Sequence, residues 1–170
     1  MASHFPLQND QVAPPFKLDD CYGNPWSLEE QKGKMVCLYF ARGEYCPTTR
    51  GEFSIYNSFA HIIRKMNCEP VFLVNGGEKE HAKFATELRM RLPILIDHDG
   101  SVGTSYGVYG PNHMDMKRDD YKNYIAPAVY LINADSTIGG FWLSSTPRGM
   151  PMPESILGML AYAQSNNWKY

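Results

Sequence analysis

Met35-Val36-Cys37-Leu38-Tyr39-Phe40-Ala41-Arg42-Gly43-Glu44-Tyr45-Cys46-Pro47 is the stretch that decides how this chain folds. Its first seven residues are a continuous apolar run, the pattern of a strand buried on both faces. Arg42 to Tyr45 break the run, and Pro47 fits the first position of a helix, where its missing N–H costs nothing. Phe53, Tyr56, Phe59 or Ala60, and Ile63 then recur every three to four residues, which predicts a helix from about Pro47 to Met66. Cys46 therefore stands at a strand-to-helix junction.

Downstream, Pro70–Val74 reads as a second buried strand ended by Gly76-Gly77, and Glu78–Met90 as a helix with His81, Phe84, Ala85 and Leu88 on one face. Leu92–Asp97 reads as a strand and Ser101–Tyr106 as a helical turn. Tyr109–Tyr124 is polar and irregular, Ala126–Ile132 and Ile138–Leu143 are strands, and Pro153–Gln164 closes the chain as a helix. Only Asn133-Ala134-Asp135-Ser136-Thr137 joins the last two strands, too short for a crossover, so they pair antiparallel. Upstream, Phe16–Asp19 and Trp26–Leu28 flank a turn-rich segment and predict a hairpin. The expectation is an α/β fold, a mixed central sheet with helices on both faces and an N-terminal β-hairpin. One domain over 13–170 follows a loose arm over 1–12.

The chain has 170 residues, a net charge of −2 and 20% charged residues, which gives no electrostatic argument for nucleic acid or an anionic membrane. Its 44% hydrophobic content excludes a disordered chain. No apolar run reaches the ~18 residues of a transmembrane helix, and the first residues lack a basic and apolar leader. A cytoplasmic, mostly reduced protein is the expectation. Four cysteines are too sparse for a disulfide scaffold, and no C-x-x-C pair exists to hold zinc.

Cys46 is the thiol set apart. A helix N-terminus offers unpaired N–H groups and the positive end of the dipole, and both favour thiolate. Arg42 and Arg50, four residues to either side, would add to this, and Glu44 and Glu52 would subtract. The hydroxyl of Thr49, one turn on, would donate to the sulfur. The competing reading is a small buried hydrophobe. Cys37 is mid-strand core. Cys68 lies beyond a helix of about 30 Å and cannot reach Cys46. Cys21, in the hairpin turn, is the one candidate resolving thiol. Ala126-Pro127 is either a plain strand start or a cis-proline packed on the reactive sulfur. Asp97-His98-Asp99 and His113-Met114-Asp115 read as solvated loop, so no metal site is expected. Tyr106, Tyr109, Tyr121, Tyr124 and Trp142 read mainly as packing residues, with a substrate pocket or dimer face as the alternative.

Several of these segments resemble one family. Ala13-Pro14-Pro15-Phe16-Lys17-Leu18, then Gly23, Ser27-Leu28 and Gly33-Lys34, are similar to the start of peroxiredoxin-type proteins (alkyl hydroperoxide reductase / thiol-specific antioxidant). Phe40–Pro47 resembles their F-x-R-G-x-W-C-P signature, with Tyr45 for Trp. Leu92–Asp97, Gly100, Tyr106-Gly107-Val108, and Arg148 with Pro151, Pro153-Glu154 and Ile156-Leu157 resemble the middle and end of the same family. The resemblance covers about residues 13 to 160 and implies a thioredoxin-like fold.

It further implies a peroxidatic Cys46 that reduces hydroperoxides through a sulfenic acid and is restored by an external thiol. Thr49, Arg50 and Arg42 would tune the thiolate. Tyr45, Pro47, Ala126 and Pro127 would shape the substrate pocket. No cofactor is implied, and a homodimer is carried over by analogy alone.

The chain departs from the family at Tyr39 and Gly43, where P-x-x-x-T-x-x-C has its Pro and Thr. It has Pro127 in the region where the family places a late Arg. Thr49 replaces the second cysteine of C-P-x-C relatives, which excludes a dithiol cycle through that motif. Two alternatives stay open: a Cys46 nucleophile acting on a non-peroxide electrophile, and a catalytically weak binding protein on a redox fold.

Overall fold

The computed structural model describes residues 6–109, 125–144 and 149–166. Strands β1 (Lys17–Asp19) and β2 (Pro25–Ser27) form the N-terminal hairpin. The main chain then runs β3 (Met35–Ala41), α1 (Pro47–Lys65), β4 (Cys68–Val74), α2 (Glu78–Glu87), β5 (Ile94–Ile96) and α3 (Ser101–Ser105). It closes with β6 (Ala128–Ile132), β7 (Ile138–Leu143) and α4 (Pro153–Asn166). The five-stranded sheet has the order β5-β4-β3-β6-β7. β3, β4 and β5 are parallel, and β6 and β7 join antiparallel. The mixed sheet, the hairpin and the short β6–β7 connection are those expected from the sequence.

Alternation along β3 builds two cores. Cys37, Tyr39 and Ala41 face the layer formed by α1, α2 and α4. Val36, Leu38 and Phe40 face the layer that holds Val102 of α3, Tyr106 and the N-terminal segment. α1 is amphipathic because Thr49, Phe53, Tyr56, Ala60 and Ile63 fall on one stripe, and all are buried. Phe53 stacks on Phe72 of β4 at a centroid distance of 3.7 Å. Truncating it to Ala would cost about 3–5 kcal/mol. Arg64 and Lys65 complement the helix C-terminus, and Asn67, at φ 53°, turns the chain back into β4.

Two boundaries move. β4 starts at Cys68, so this cysteine is a strand residue packed in the same core as Cys37. α2 stops at Glu87, since Arg89 takes φ 49° and ends the helix before Met90.

Residues 6–12 are not the loose arm that was expected. Leu7 is buried, and Val12 bridges Thr137 at the start of β7. Asp10 N–H donates to the Ile138 carbonyl (2.8 Å) and Ile138 N–H to the Gln11 carbonyl (2.8 Å). At the opposite edge, Asp20 bridges Leu95, and Cys21 N–H donates to the Ile94 carbonyl of β5 (2.8 Å).

Chain order reverses at β3, whose neighbours are β4 on one side and β6 on the other. In open α/β sheets the crevice outside the strand ends at such a reversal is where ligands bind. Cys46 lies there.

Candidate active site around Cys46

The β3–α1 turn carries the site. Cys46 is the N-cap of α1 (φ −90°, ψ 116°) and Pro47 is the first helical residue. The turn is closed by Cys46 N–H donating to the Gly43 carbonyl (3.2 Å). The Cys46 residue is only 5% exposed. Burial alone would push its thiol up. The Thr49 N–H, the Thr49 hydroxyl, the Thr48 N–H and the Arg42 guanidinium outweigh it, and the pKa lies below the ordinary 9.0. Arg42 Nη1 is 4.0 Å from Sγ. The first turn of α1 holds no acidic residue, so the dipole there is unopposed within the helix.

A cavity of about 240 Å³ opens on this thiol, lined by Arg42, Tyr45, Cys46, Pro47 and Thr48. The Arg42 guanidinium lies 5.7 Å from the centroid of the Tyr45 ring, which is 57% exposed and forms the outer lip.

The structure thus brings Arg42, Tyr45, Pro47 and Thr49 around Cys46. It places Arg50 elsewhere. The Arg50 guanidinium pairs with Glu87 (3.3 Å) and lies over the Phe84 ring (4.6 Å), both on the α2 side. Glu52, the other charge weighed near the thiol, accepts the Gly149 and Met150 N–H groups, and burial raises its pKa. Together with the hydrogen bond from the Tyr56 hydroxyl to the Pro151 carbonyl, it fixes the segment before α4 against α1.

The cis-proline expectation is corrected. The described residues contain no cis peptide bond, so Ala126–Pro127 is trans. Ala126 N–H donates to the Val108 carbonyl (2.7 Å), and the Pro127 carbonyl accepts from Ser144 (3.0 Å). The β3–β6 register pairs Phe40 with Ala128, so Pro127 comes level with Ala41 at the end of β3. Among the described residues neither Ala126 nor Pro127 enters the wall of the Cys46 cavity. Pro127 is the strand-start proline of the plainer reading. Arg148, His113, Asp115, Tyr121 and Tyr124 lie outside the described residues.

All four cysteines are free thiols. Cys37 is pushed up to about 12 and Cys68 well above the ordinary value, both by burial first. Cys21 is also buried, and its thiol is raised to about 11 by burial and by the Asp20 charge. It pairs on the outer edge of β5, three strand spacings or about 14 Å across the sheet from β3. It cannot resolve an oxidised Cys46 without rearrangement.

Asp97, His98 and Asp99 have structural partners. The buried Asp97 carboxylate accepts the Val102 and Gly103 N–H groups (3.3 and 2.8 Å). His98 faces Glu78 (3.0 Å), and Asp99 accepts from Ser101 N–H (3.0 Å). Among the described residues no group of three His, Cys, Asp or Glu is arranged to hold a metal ion, and no helix is long and apolar enough to cross a membrane.

Sequence reading missed His81. Its fully buried ring reaches the Cys46 turn, with Nε2 3.1 Å from Glu44 Oε2 and 3.3 Å from Glu44 N. The available signal was a histidine on the same face as Phe84 and Ala85, since a buried imidazole needs partners for both nitrogens. The geometry also accounts for Gly43. It takes φ +125°, and a Cβ there would stand 3.0 Å from the Tyr45 ring and 3.3 Å from His81 Nε2. A threonine does not fit that position in this turn.

A sequence profile described as the AhpC/TSA family matches residues 10–140. A putative peroxiredoxin bcp from Coxiella burnetii is 27% identical over 136 residues, covering 80% of this chain and 88% of that protein. A thiol-disulfide oxidoreductase ResA from Geobacillus thermodenitrificans is 36% identical over 102 residues, covering 59% of this chain and 57% of that protein. A chloroplastic peroxiredoxin Q from Sedum lineare is 28% identical over 95 residues, covering 56% of this chain and 51% of that protein. The chain thus spans little more than half the length of these last two relatives. Among solved structures, peroxidoxin BcpB from Mycobacterium tuberculosis superposes with a TM-score of 0.77 at 19% identity, covering 94% of this chain and 98% of that one. A peroxiredoxin-like protein from Aquifex aeolicus gives 0.80 at 12% identity, covering 92% and 88%.

Proposed function

This chain belongs to the AhpC/TSA family, and on that premise we propose that it is a thiol-dependent peroxidase in which Cys46 is the one reacting thiol. The observation that carries the reading is the Cys46 sulfur, held by the Thr48 and Thr49 N–H groups, the Thr49 hydroxyl and Arg42, and opening on a cavity.

In the reaction the thiolate attacks the terminal oxygen of a hydroperoxide. The S–O bond forms as the O–O bond breaks. The alkoxide leaves as an alcohol after taking a proton, and Cys46 becomes a sulfenic acid. A first external thiol condenses with it, releasing water and leaving a mixed disulfide. A second thiol attacks that disulfide, restores Cys46 and leaves as the oxidised reductant. The peroxide gains two electrons and the two thiols lose them. Thr49 keeps the reductant external, because a hydroxyl cannot close a disulfide. Arg42 and the amide groups of the first helical turn face the developing charge on the leaving oxygen. Four cysteines in 170 residues, too sparse for a disulfide scaffold, support a reducing compartment such as the cytoplasm.

Stopped-flow mixing with hydrogen peroxide and with a bulkier alkyl hydroperoxide tests this, with mass spectrometry of the product. The expected result is oxidation far faster than that of free cysteine and a sulfenic acid at Cys46 alone. A rate no faster than free cysteine overturns the peroxidase reading. A second reading, Cys46 attacking a non-peroxide electrophile, is favoured by one observation: Gly43 carries no hydroxyl to hold a peroxide. It expects negligible peroxide turnover together with a Cys46 thiolate that is still reactive.

A further inference from the structure

His81 occupies a closed slot beside the reactive turn. A Cβ on Gly76 would stand 2.9 Å from its Cε1, and one on Gly43 would stand 3.3 Å from its Nε2. Glycine on both sides lets the ring fit, and the imidazole is fully buried. Nδ1 lies 2.7 Å from the Gly77 carbonyl, which can only accept, so Nδ1 carries a proton.

Nε2 faces two groups of one residue that make opposite demands. The Glu44 N–H (3.3 Å) needs an acceptor, and the Glu44 carboxylate (3.1 Å) needs a donor. A neutral imidazole serves the N–H and sets its lone pair against the carboxylate. A charged imidazole serves the carboxylate and abandons the N–H. The buried ring is held through Nδ1 by the Gly77 carbonyl, so the change falls on the Glu44 side, at the Gly43–Glu44 turn. That turn is tied to Cys46 by the Cys46 N–H to Gly43 carbonyl bond (3.2 Å).

We propose that His81 is a positioning residue for Cys46, a latch whose protonation exchanges the Glu44 main chain for the Glu44 carboxylate and so resets the turn that presents the thiol. The proposal rests on Cys46 being the reacting thiol. Protonation also takes the His81–Glu44 pair from a net charge of −1 to zero, and the loss of a nearby negative charge favours the thiolate. The other charged groups around the latch are accounted for. From the turn come Arg42 and Cys46 itself. From α1 comes Arg50, which is paired with Glu87. From α2 come Glu80 and Lys83, which share a groove with Glu44. The β4–α2 turn offers Asn75, Gly76 and Gly77, none of which titrates. Glu44 is the one acidic group in contact with Nε2 among the described residues.

The test is the rate of Cys46 alkylation by iodoacetamide from pH 4.5 to 9, followed by mass spectrometry at that residue. The wild-type profile is expected to show two inflections, one for the thiol and a second for the latch, separated by a severalfold step in rate. His81→Gln supplies a fixed acceptor to Glu44 N–H, and Glu44→Gln removes the carboxylate while leaving the buried ring in place. Each should collapse the profile to a single inflection. A single inflection in the wild type, or a second inflection retained in either folded variant, overturns the proposal. Circular dichroism establishes folding, and should His81→Gln not fold, Glu44→Gln decides alone. Two inflections without peroxide turnover would sink the peroxidase reading and leave the latch standing. Peroxide turnover with one inflection would do the reverse.

Discussion

Cys37 and Cys46 are nine residues apart and both are buried, at 0% and 5% exposure, yet their thiols are driven in opposite directions. Burial raises both. At Cys37, inside β3, the main-chain groups on either side are committed to the ladder, and the compensation is a side-chain interaction with Tyr39. At Cys46 the strand has ended and the helix has not yet closed its first hydrogen bonds, so two amide groups and a hydroxyl are left to face the sulfur. The direction in which each thiol's acidity moves is therefore set by where the regular hydrogen bonding is interrupted, not by access to water.

Replacing Cys46 with Ser should break the contrast most severely. Alkylation at neutral pH and peroxide consumption should fall by at least about a hundredfold, since a hydroxyl is not ionised there. Activity retained in that variant would move the chemistry to another residue. Next is Thr49→Val, which removes a hydroxyl that bonds the charged sulfur. The Cys46 pKa should rise and alkylation at pH 6 should slow by about tenfold, the effect of one charge-assisted hydrogen bond. Arg42→Met should act in the same direction by roughly threefold, because at 4.0 Å its contact is longer and partly screened. Cys37→Ala is the control from the other side of the comparison. It should lower stability by about 1–2 kcal/mol in denaturant titrations and leave the Cys46 rate unchanged.

The smallest effect is in the pH dependence of stability, where the two thiols carry opposite signs. Cys37 holds its proton to about 12 in the folded chain and loses it near 9.0 when unfolded. Between those values the folded state binds more protons, so this thiol's contribution declines as pH rises. Cys46 is lowered from 9.0, so below that value the unfolded state binds more protons. Its contribution is present above 9.0 and is lost as pH falls through the folded pKa. Comparing unfolding midpoints of Cys37→Ala and Cys46→Ser with the wild type from pH 6 to 10.5 should give differences of opposite slope.

What was legible in the sequence was local. The buried strand, the helix with Pro47 at its start and the thiol between them lie within one continuous segment, and side-chain periodicity with proline chemistry reports on such segments directly. What was not legible depends on partners far along the chain. Arg50 was expected at the thiol, but Glu87 and Phe84, more than thirty residues on, hold it. His81 reads as a core residue until the fold brings Glu44 to its Nε2. Residues 6–12 lack apolar periodicity, yet they are ordered by main-chain bonds to Ser136–Ile138, which do not depend on side-chain type. The isomer of Pro127 cannot be deduced from Ala126-Pro127 alone, because both are compatible with a strand start.

The main-chain pairing at Asp10–Ala13 and at Asp20–Cys21 comes from the same short stretch of chain, although it falls on opposite borders of the sheet, β7 and β5. An exposed border is a template for a strand from another copy. Proteolytic trimming of the first twenty or so residues would therefore uncover two such templates in one cut. The clipped protein would be liable to self-associate through its borders into open-ended assemblies even with Cys46 and its turn intact.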